Sequence, residues 1–183
     1  MSQPFVRPIV RGKAGKPVEF GAKLDISVVD GWTRLVCCSF DAYNEAGNLQ
    51  EMAERFRARE GHYPSRILAD KIYRSRENLS YCKAHGIRLS GPTLGRPKKG
   101  ETRDKTQDYR DECERVEVAC RFSLAKRKCG MGLVTAKLRE TAAHVIAMSV
   151  LVLNLRKIQC ALLRMLRYLL EILAQKKNWA LVQ

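Results

Sequence analysis

The run Val18, Phe20, Ala22, Leu24, Ile26, Val28 alternates with Glu19, Lys23, Asp25 and Ser27. A period of two is the mark of a β-strand with one buried face. Asp30-Gly31 follows, a dipeptide suited to a two-residue turn, and Thr33 to Phe40 reads as the returning strand. A hairpin that is apolar on one side is barely stable alone, so the rest of the chain has to cover it. Asp25 falls on the polar side of the first strand and is read as a solvated strand acid.

The covering elements can be placed by spacing. Asn44 to Gly47 breaks the strand pattern. Leu49 to Ala58 reads as a helix, because Leu49, Met52, Ala53 and Phe56 recur at helical spacing, and Gly61 and Pro64 end it. Arg66 to Asp70 carries Ile67, Leu68 and Ala69, a short apolar run that suits a buried strand with Asp70 at its C-terminal end. Ser75 caps the next helix with Asn78 in the Glu or Gln position of a capping box, so half of that signature is present. After Gly86 a short strand, Ile87 to Leu89, leads into a loop over 90–107 rich in Gly, Pro, Lys and Arg.

Three helices are expected after that loop, over about 108–128, 133–158 and 160–176, the last with a stripe of Leu162, Leu166, Leu169 and Leu173. The apolar run Ala142 to Leu155 contains His144, Ser149 and Asn154 and is shorter than the roughly 20 residues of a bilayer span, so it reads as a buried helix. Met148, Leu151 and Leu155 are then core positions. Residues 1–17, with Pro4, Pro8 and Pro17, suit an extended lead-in. The organisation expected is a lead-in over 1–17, one α/β domain over 18–158, and an amphipathic helix and tail over 159–183.

Lys and Arg number 34 against 19 Asp and Glu, a formal charge of +15. Such an excess calls for an anionic partner, nucleic acid first and an anionic membrane surface second. The seven cysteines form no CxxC pair, and an odd count does not close into disulfides. Cys82 and His85 have ligand-like spacing, but a zinc site needs about four ligands and no second pair stands out. No secretory leader is visible, so reduced thiols and a cytoplasmic, nucleoid-associated location are expected.

Three stretches carry a resemblance: VRPIVRGKAGKPVEFGAKL at Val6 to Leu24, ILADKIYRSRENLSYCKAHGIRLSGPTLGRPKK at Ile67 to Lys99, and RFSLAKRKCGMGLVTAKLRETAAHVIAMSVLVLNL at Arg121 to Leu155. Together they resemble the C-terminal part of the catalytic domain of bacterial insertion-sequence transposases of the DDE type. The resemblance implies an α/β fold, part of a ribonuclease-H-like mixed sheet followed by C-terminal helices, over most of the chain to about Ile158. It also implies DNA transposition by two-metal phosphoryl transfer, with Mg²⁺ or Mn²⁺ held by converging carboxylates. Transposon-end DNA, and a second copy or a full-length transposase, are the partners implied; no membrane is.

Under that resemblance Asp70 is the second catalytic acid and a metal ligand; the competing reading is that it caps a strand end or pairs with Arg74. The family's third acid lies in a helical signature of Tyr, two residues, Arg, three residues, Glu, six residues, Lys. Anchored on Phe122 and KRKCGMG, the Arg falls on Arg115 and the Lys on Lys126, three helical turns apart on one face. The Glu then falls on Ala119 and the Tyr on Glu112. Glu114 and Glu117 stand nearby as possible replacements for the missing carboxylate. The family carries its first acid on a strand that precedes the matching region, so this chain is expected to be catalytically incompetent alone. Gly95, Arg96, Pro97, Lys98 and Lys99 resemble the core of a minor-groove hook. Arg115, Arg121, Lys126, Arg127 and Lys128 extend the expected DNA-binding set with Arg96, Lys98 and Lys99. A regulator that binds DNA or transposase without catalysis is the alternative.

Overall fold

The structure is a computed structural model that describes residues 3–13, 15–91 and 104–180. The chain opens with two antiparallel hairpins. Strand β1 (Pro8–Lys13) pairs with β2 (Lys16–Phe20), so the proline-rich lead-in contributes a strand of its own. β2 is followed by Gly21, whose φ of +142° few other residues adopt, and β3 (Lys23–Val29) starts after it. The single strand expected over Val18 to Val28 is thus two strands, and Val18 and Phe20 lie exposed on the first hairpin.

β3 returns through Asp30 and Gly31, at φ of 49° and 72°, into β4 (Trp32–Ser39). Both residues sit in the left-handed region that a two-residue hairpin turn of type I′ requires. The β3–β4 register slips between Asp25 and Ile26.

Helix α1 (Asn48–Glu60) follows a short 3-10 turn at Glu45–Gly47 and ends at Gly61, φ 78°. Strand β5 (Arg66–Ile67) is shorter than expected because the Ala69 N–H donates to Ser90 Oγ rather than to a strand. Helix α2 (Arg76–Ala84) starts where Ser75 accepts a hydrogen bond from the Asn78 N–H at 3.1 Å. β6 (Arg88–Leu89) lies parallel to β5. Helix α3 (Lys105–Lys128) is capped by Asp104, and α4 (Arg139–Ala180) completes the described chain. The chain therefore mixes α and β as expected, but among the described residues the strands form three separate two-stranded pairs instead of one mixed sheet.

Two apolar clusters hold these parts together. Leu49 and Ala53 of α1, Cys82 of α2, and Ile87 and Leu89 form one. Phe40, the end of α3 at Ala125 and Cys129, and Ala142, Ile146, Val150 and Leu153 of α4 form the other, with Leu24 and Leu35 of the second hairpin against it. Helix α3 joins the two, since its early turns ion-pair with β5 and β6 while its last turn enters the second cluster.

Helix α4 runs unbroken through the point near residue 159 where two helices were expected, because Gln159, Cys160 and Ala161 supply neither glycine nor proline. Of the residues expected to be buried on it, Met148, Leu151 and Leu155 are exposed. The packed side is that of Ile146, Val150 and Leu153 instead. Apolar spacing marks a helix face without saying which of two apolar faces meets the body. By length and composition Arg139–Ala174 is long and apolar enough to cross a membrane.

Candidate active site and nucleic-acid interface

Asp70 stands where the chain leaves β5 in extended conformation, φ −73° and ψ 163°. Its Oδ1 accepts from the Lys71 N–H at 2.7 Å, and its carbonyl accepts from the Tyr73 N–H at 3.0 Å, which caps the 3-10 turn Lys71–Tyr73. The carboxylate itself is exposed, and Arg115 Nη1 of α3 lies 3.7 Å from it. Arg74, the other cation considered for it, is buried and donates to the Leu89 and Ser90 carbonyls at 2.6 and 2.8 Å. The partner of Asp70 therefore comes from α3.

Arg115 fixes the register of α3 against this acid. Its Nη2 donates to Glu112 Oε1 at 2.6 Å, and that hydrogen bond, ahead of other causes, raises the guanidinium pKa. A residue four positions on lies one turn further along the same face, so Ala119 follows Arg115 on the side that meets Asp70. Ala119 is exposed and has no donor atom to offer a cation.

The other carboxylates are held by arginines or buried. Glu114 accepts both guanidinium nitrogens of Arg66, at 3.2 and 2.6 Å, and Glu117 accepts from Arg121 at 2.8 Å, one turn away. Asp25 is only 4% exposed, which corrects its reading as a solvated strand acid. The register slip beside it accounts for the difference, because a β-bulge re-aims the side chain next to it. Asn48 Nδ2 donates to Asp25 at 2.5 Å and the Tyr73 hydroxyl approaches at 3.5 Å. Burial, the largest influence, pushes the Asp25 pKa up, while the Asn48 hydrogen bond opposes that shift.

Spacing also failed to single out Asp111, buried at 4% exposure. It accepts from both guanidinium nitrogens of Arg88, at 2.6 and 2.8 Å, and from Gln107 at 2.9 Å. The Arg88 hydrogen bonds hold its carboxyl below the usual carboxylate range. Asp111 anchors α3 to β6; it is placed for structure.

Among the described residues no group of three or more His, Cys, Asp or Glu side chains is arranged to hold a metal ion. Asp70 faces an arginine, Ala119 supplies no oxygen, and Glu114 and Glu117 are paired within the fold. These residues do not fit a pair of divalent ions, which needs several converging oxygens.

The basic residues divide into two kinds. Arg115 and Arg121 are engaged with carboxylates, and Arg121 also reaches the hairpin turn at Gly31. Lys126, Arg127 and Lys128 are exposed in the last turn of α3, with no carboxylate in ion-pair range among the described residues. Cations there also face the negative end of the helix dipole. Arg96, Lys98 and Lys99 lie outside the described residues.

Residues 67–156 match a family model described as the transposase DDE domain. No curated protein and no solved structure matches the chain. The matched stretch begins in β5, passes through Asp70 and α2, and takes in all of α3 before ending within α4. The expectation of a DDE-type transposase is borne out over residues 67–156, which match the transposase DDE domain family.

Proposed function

We propose that the chain serves DNA transposition as a DNA-binding domain of a DDE transposase and does not itself assemble a cleavage centre. The observation that carries this reading is the face of α3 turned toward Asp70. It presents Arg115 and then Ala119, where the family's carboxylate would stand. Divalent ions serve the chemistry of this family, and the side chains here offer them two exposed carboxylates, Asp70 and Glu112, both already facing the one guanidinium of Arg115. An arginine raises the local positive potential and works against a cation.

Attachment to DNA asks less of the geometry. Lys126, Arg127 and Lys128 are exposed together at one end of α3, on a chain of net charge +15. Phosphate contacts need only such charges. DNA therefore meets the end of α3, while Arg96, Lys98 and Lys99 add basic charge of the kind that phosphates attract.

The test is fluorescence anisotropy with a short labelled duplex across a salt series, together with a gel assay for cleavage and joining in Mg²⁺ or Mn²⁺. Expected are binding that weakens steeply with salt and no broken or joined strands. Cutting or joining of the DNA by the purified chain overturns the claim about the cleavage centre. Loss of binding even at low salt overturns the claim about DNA.

A further inference from the structure

Helix α4 carries two apolar faces, and only one of them is used. Ile146, Val150 and Leu153 pack into the body. A second set begins at Met148 and returns every seven residues at Leu155, Leu162 and Leu169. Interleaved with it, three residues after each, stand Leu151, Ile158, Met165 and Ile172. Alternating steps of three and four over eight consecutive positions are the a and d pattern of a coiled coil. The first seven of these side chains found in chain order, Met148 to Leu169, are 42% to 60% exposed, and Ile172 is half-buried.

The charges keep off this seam. Arg156, Lys157, Arg164, Arg167 and Glu171 all occupy the b, c and f positions of the same heptad. The flanking e and g positions hold Val152, Asn154, Gln159, Ala161, Leu166, Tyr168 and Leu173 instead, so among these no like charges meet across the seam when the helix faces a copy of itself.

We infer that the 148–172 face of α4 is a homodimer interface, in which two copies of this chain pair their a and d side chains. The area is sufficient. Each of the eight side chains leaves on the order of 100 Å² free, about 800 Å² in all, which is the share of one partner in a standard protein–protein interface. A period of 3.5 is what a helical partner requires, whereas a bilayer places no such demand on spacing. Crossing a membrane would also bury the five charges between Arg156 and Glu171 or strip Ile146, Val150 and Leu153 from the body. This inference stands on α4 and is independent of how the chain treats DNA.

The experiment is sedimentation equilibrium on the full chain, without detergent and over a range of concentrations, beside flotation with vesicles of phosphatidylcholine and phosphatidylglycerol. The expected result is a mass rising to a plateau at twice the 20.8 kDa chain. The double variant Leu162→Glu, Leu169→Glu should stay at the monomer mass, with a dissociation constant weakened on the order of 100-fold. Both positions are exposed and outside the two apolar clusters, so its thermal unfolding should remain cooperative. Arg164→Ala, off the seam, should dimerise as the parent does. A parent that stays monomeric, one that grows in mass without a plateau at two chains, or one that floats with vesicles as a monomer overturns the inference.

Discussion

The side-chain amide of Asn154 closes a two-point bridge onto the backbone of Thr33, accepting its N–H at 2.9 Å and donating to its carbonyl at 2.8 Å. Thr33 lies on β4, a strand whose outer edge has no strand partner among the described residues, and it is 1% exposed. Buried backbone groups left without partners are costly, and here a helix side chain takes the place of a third strand. Lys157, one turn on, donates to the Asp30 carbonyl and lies 4.3 Å from the centre of the Trp32 ring. Asn154→Leu should lower the unfolding free energy by about 2 kcal/mol, since it strands both Thr33 groups. Asn154→Asp should cost at least as much, because a carboxylate faces the Thr33 carbonyl. Urea denaturation measures both, and a loss under about 0.5 kcal/mol for each would show that water replaces the amide.

Asn154 also shows what the sequence could not reveal. It stood in the apolar run as a polar interruption, while its use is set by a strand edge 121 residues away in the chain. Local features were legible: the Asp30-Gly31 turn, the Ser75 cap and the Gly61 helix stop are fixed by residues next to one another. Long-range features were not. Asp25 alternates like a surface acid, and only the register slip and the approach of Asn48 and Tyr73 bury it. Spacing singled out Arg115, while its 3.7 Å approach to Asp70 is visible only in the fold. The pairing of Glu114 with Arg66 was not, because it joins two elements separated by the whole of α2.

Asp25 should make the protein less stable as pH rises through its titration. Burial raises its folded pKa above the ordinary value of 3.8, so the folded state holds the proton more tightly than the unfolded one. That contribution is fully present below 3.8 and is lost as pH rises through the folded pKa. Asp25→Asn keeps an oxygen for Asn48 and removes the titration. Its urea midpoint relative to the parent should therefore be higher near neutral pH than near pH 4. An offset that does not change with pH would mean that Asp25 titrates alike in both states.

Asp111 should act in the opposite sense. Its carboxyl is held below the ordinary value of 3.8 by Arg88, so its contribution is present above 3.8 and is lost as pH falls through the lower folded value. Arg88→Ala leaves a buried carboxylate with Gln107 and the more distant Arg66, and should cost about 2 kcal/mol. Arg88→Lys should recover less than half, because a single ammonium cannot supply two parallel hydrogen bonds. Full recovery by lysine, measured by chemical denaturation, would reduce the pair to simple charge attraction.

Asp70 combines a cap with an exposed carboxylate, and two substitutions separate these roles. Asp70→Ala removes the acceptor of the Lys71 N–H and should cost about 0.5 to 1 kcal/mol. Asp70→Asn keeps the cap and should restore most of that stability. If the exposed carboxylate has no bound cation to hold, adding Mg²⁺ to the parent should not shift its thermal midpoint relative to Asp70→Asn. A Mg²⁺-dependent rise in the parent alone would place a metal at Asp70 and count against the proposed function.

The basic end of α3 offers the most direct test of DNA contact, because salt dependence counts phosphate contacts. Each one contributes about 0.9 to the slope of log K against log salt on duplex DNA. If Lys126, Arg127 and Lys128 all reach phosphates, replacing the three by alanine should lower that slope by about 2.7 and weaken binding to duplexes of any sequence alike. The same change removes cations from a helix C-terminus, at a cost of about 0.3 to 1 kcal/mol each, so part of any loss could come from a frayed α3. Lys126→Gln, Lys128→Gln therefore serves beside it, since glutamine keeps the helix while discarding the charge. A slope lowered by about 1.8 in this double variant, with an unchanged melting curve, assigns both lysines to phosphate. An unchanged slope moves the DNA contact away from the end of α3.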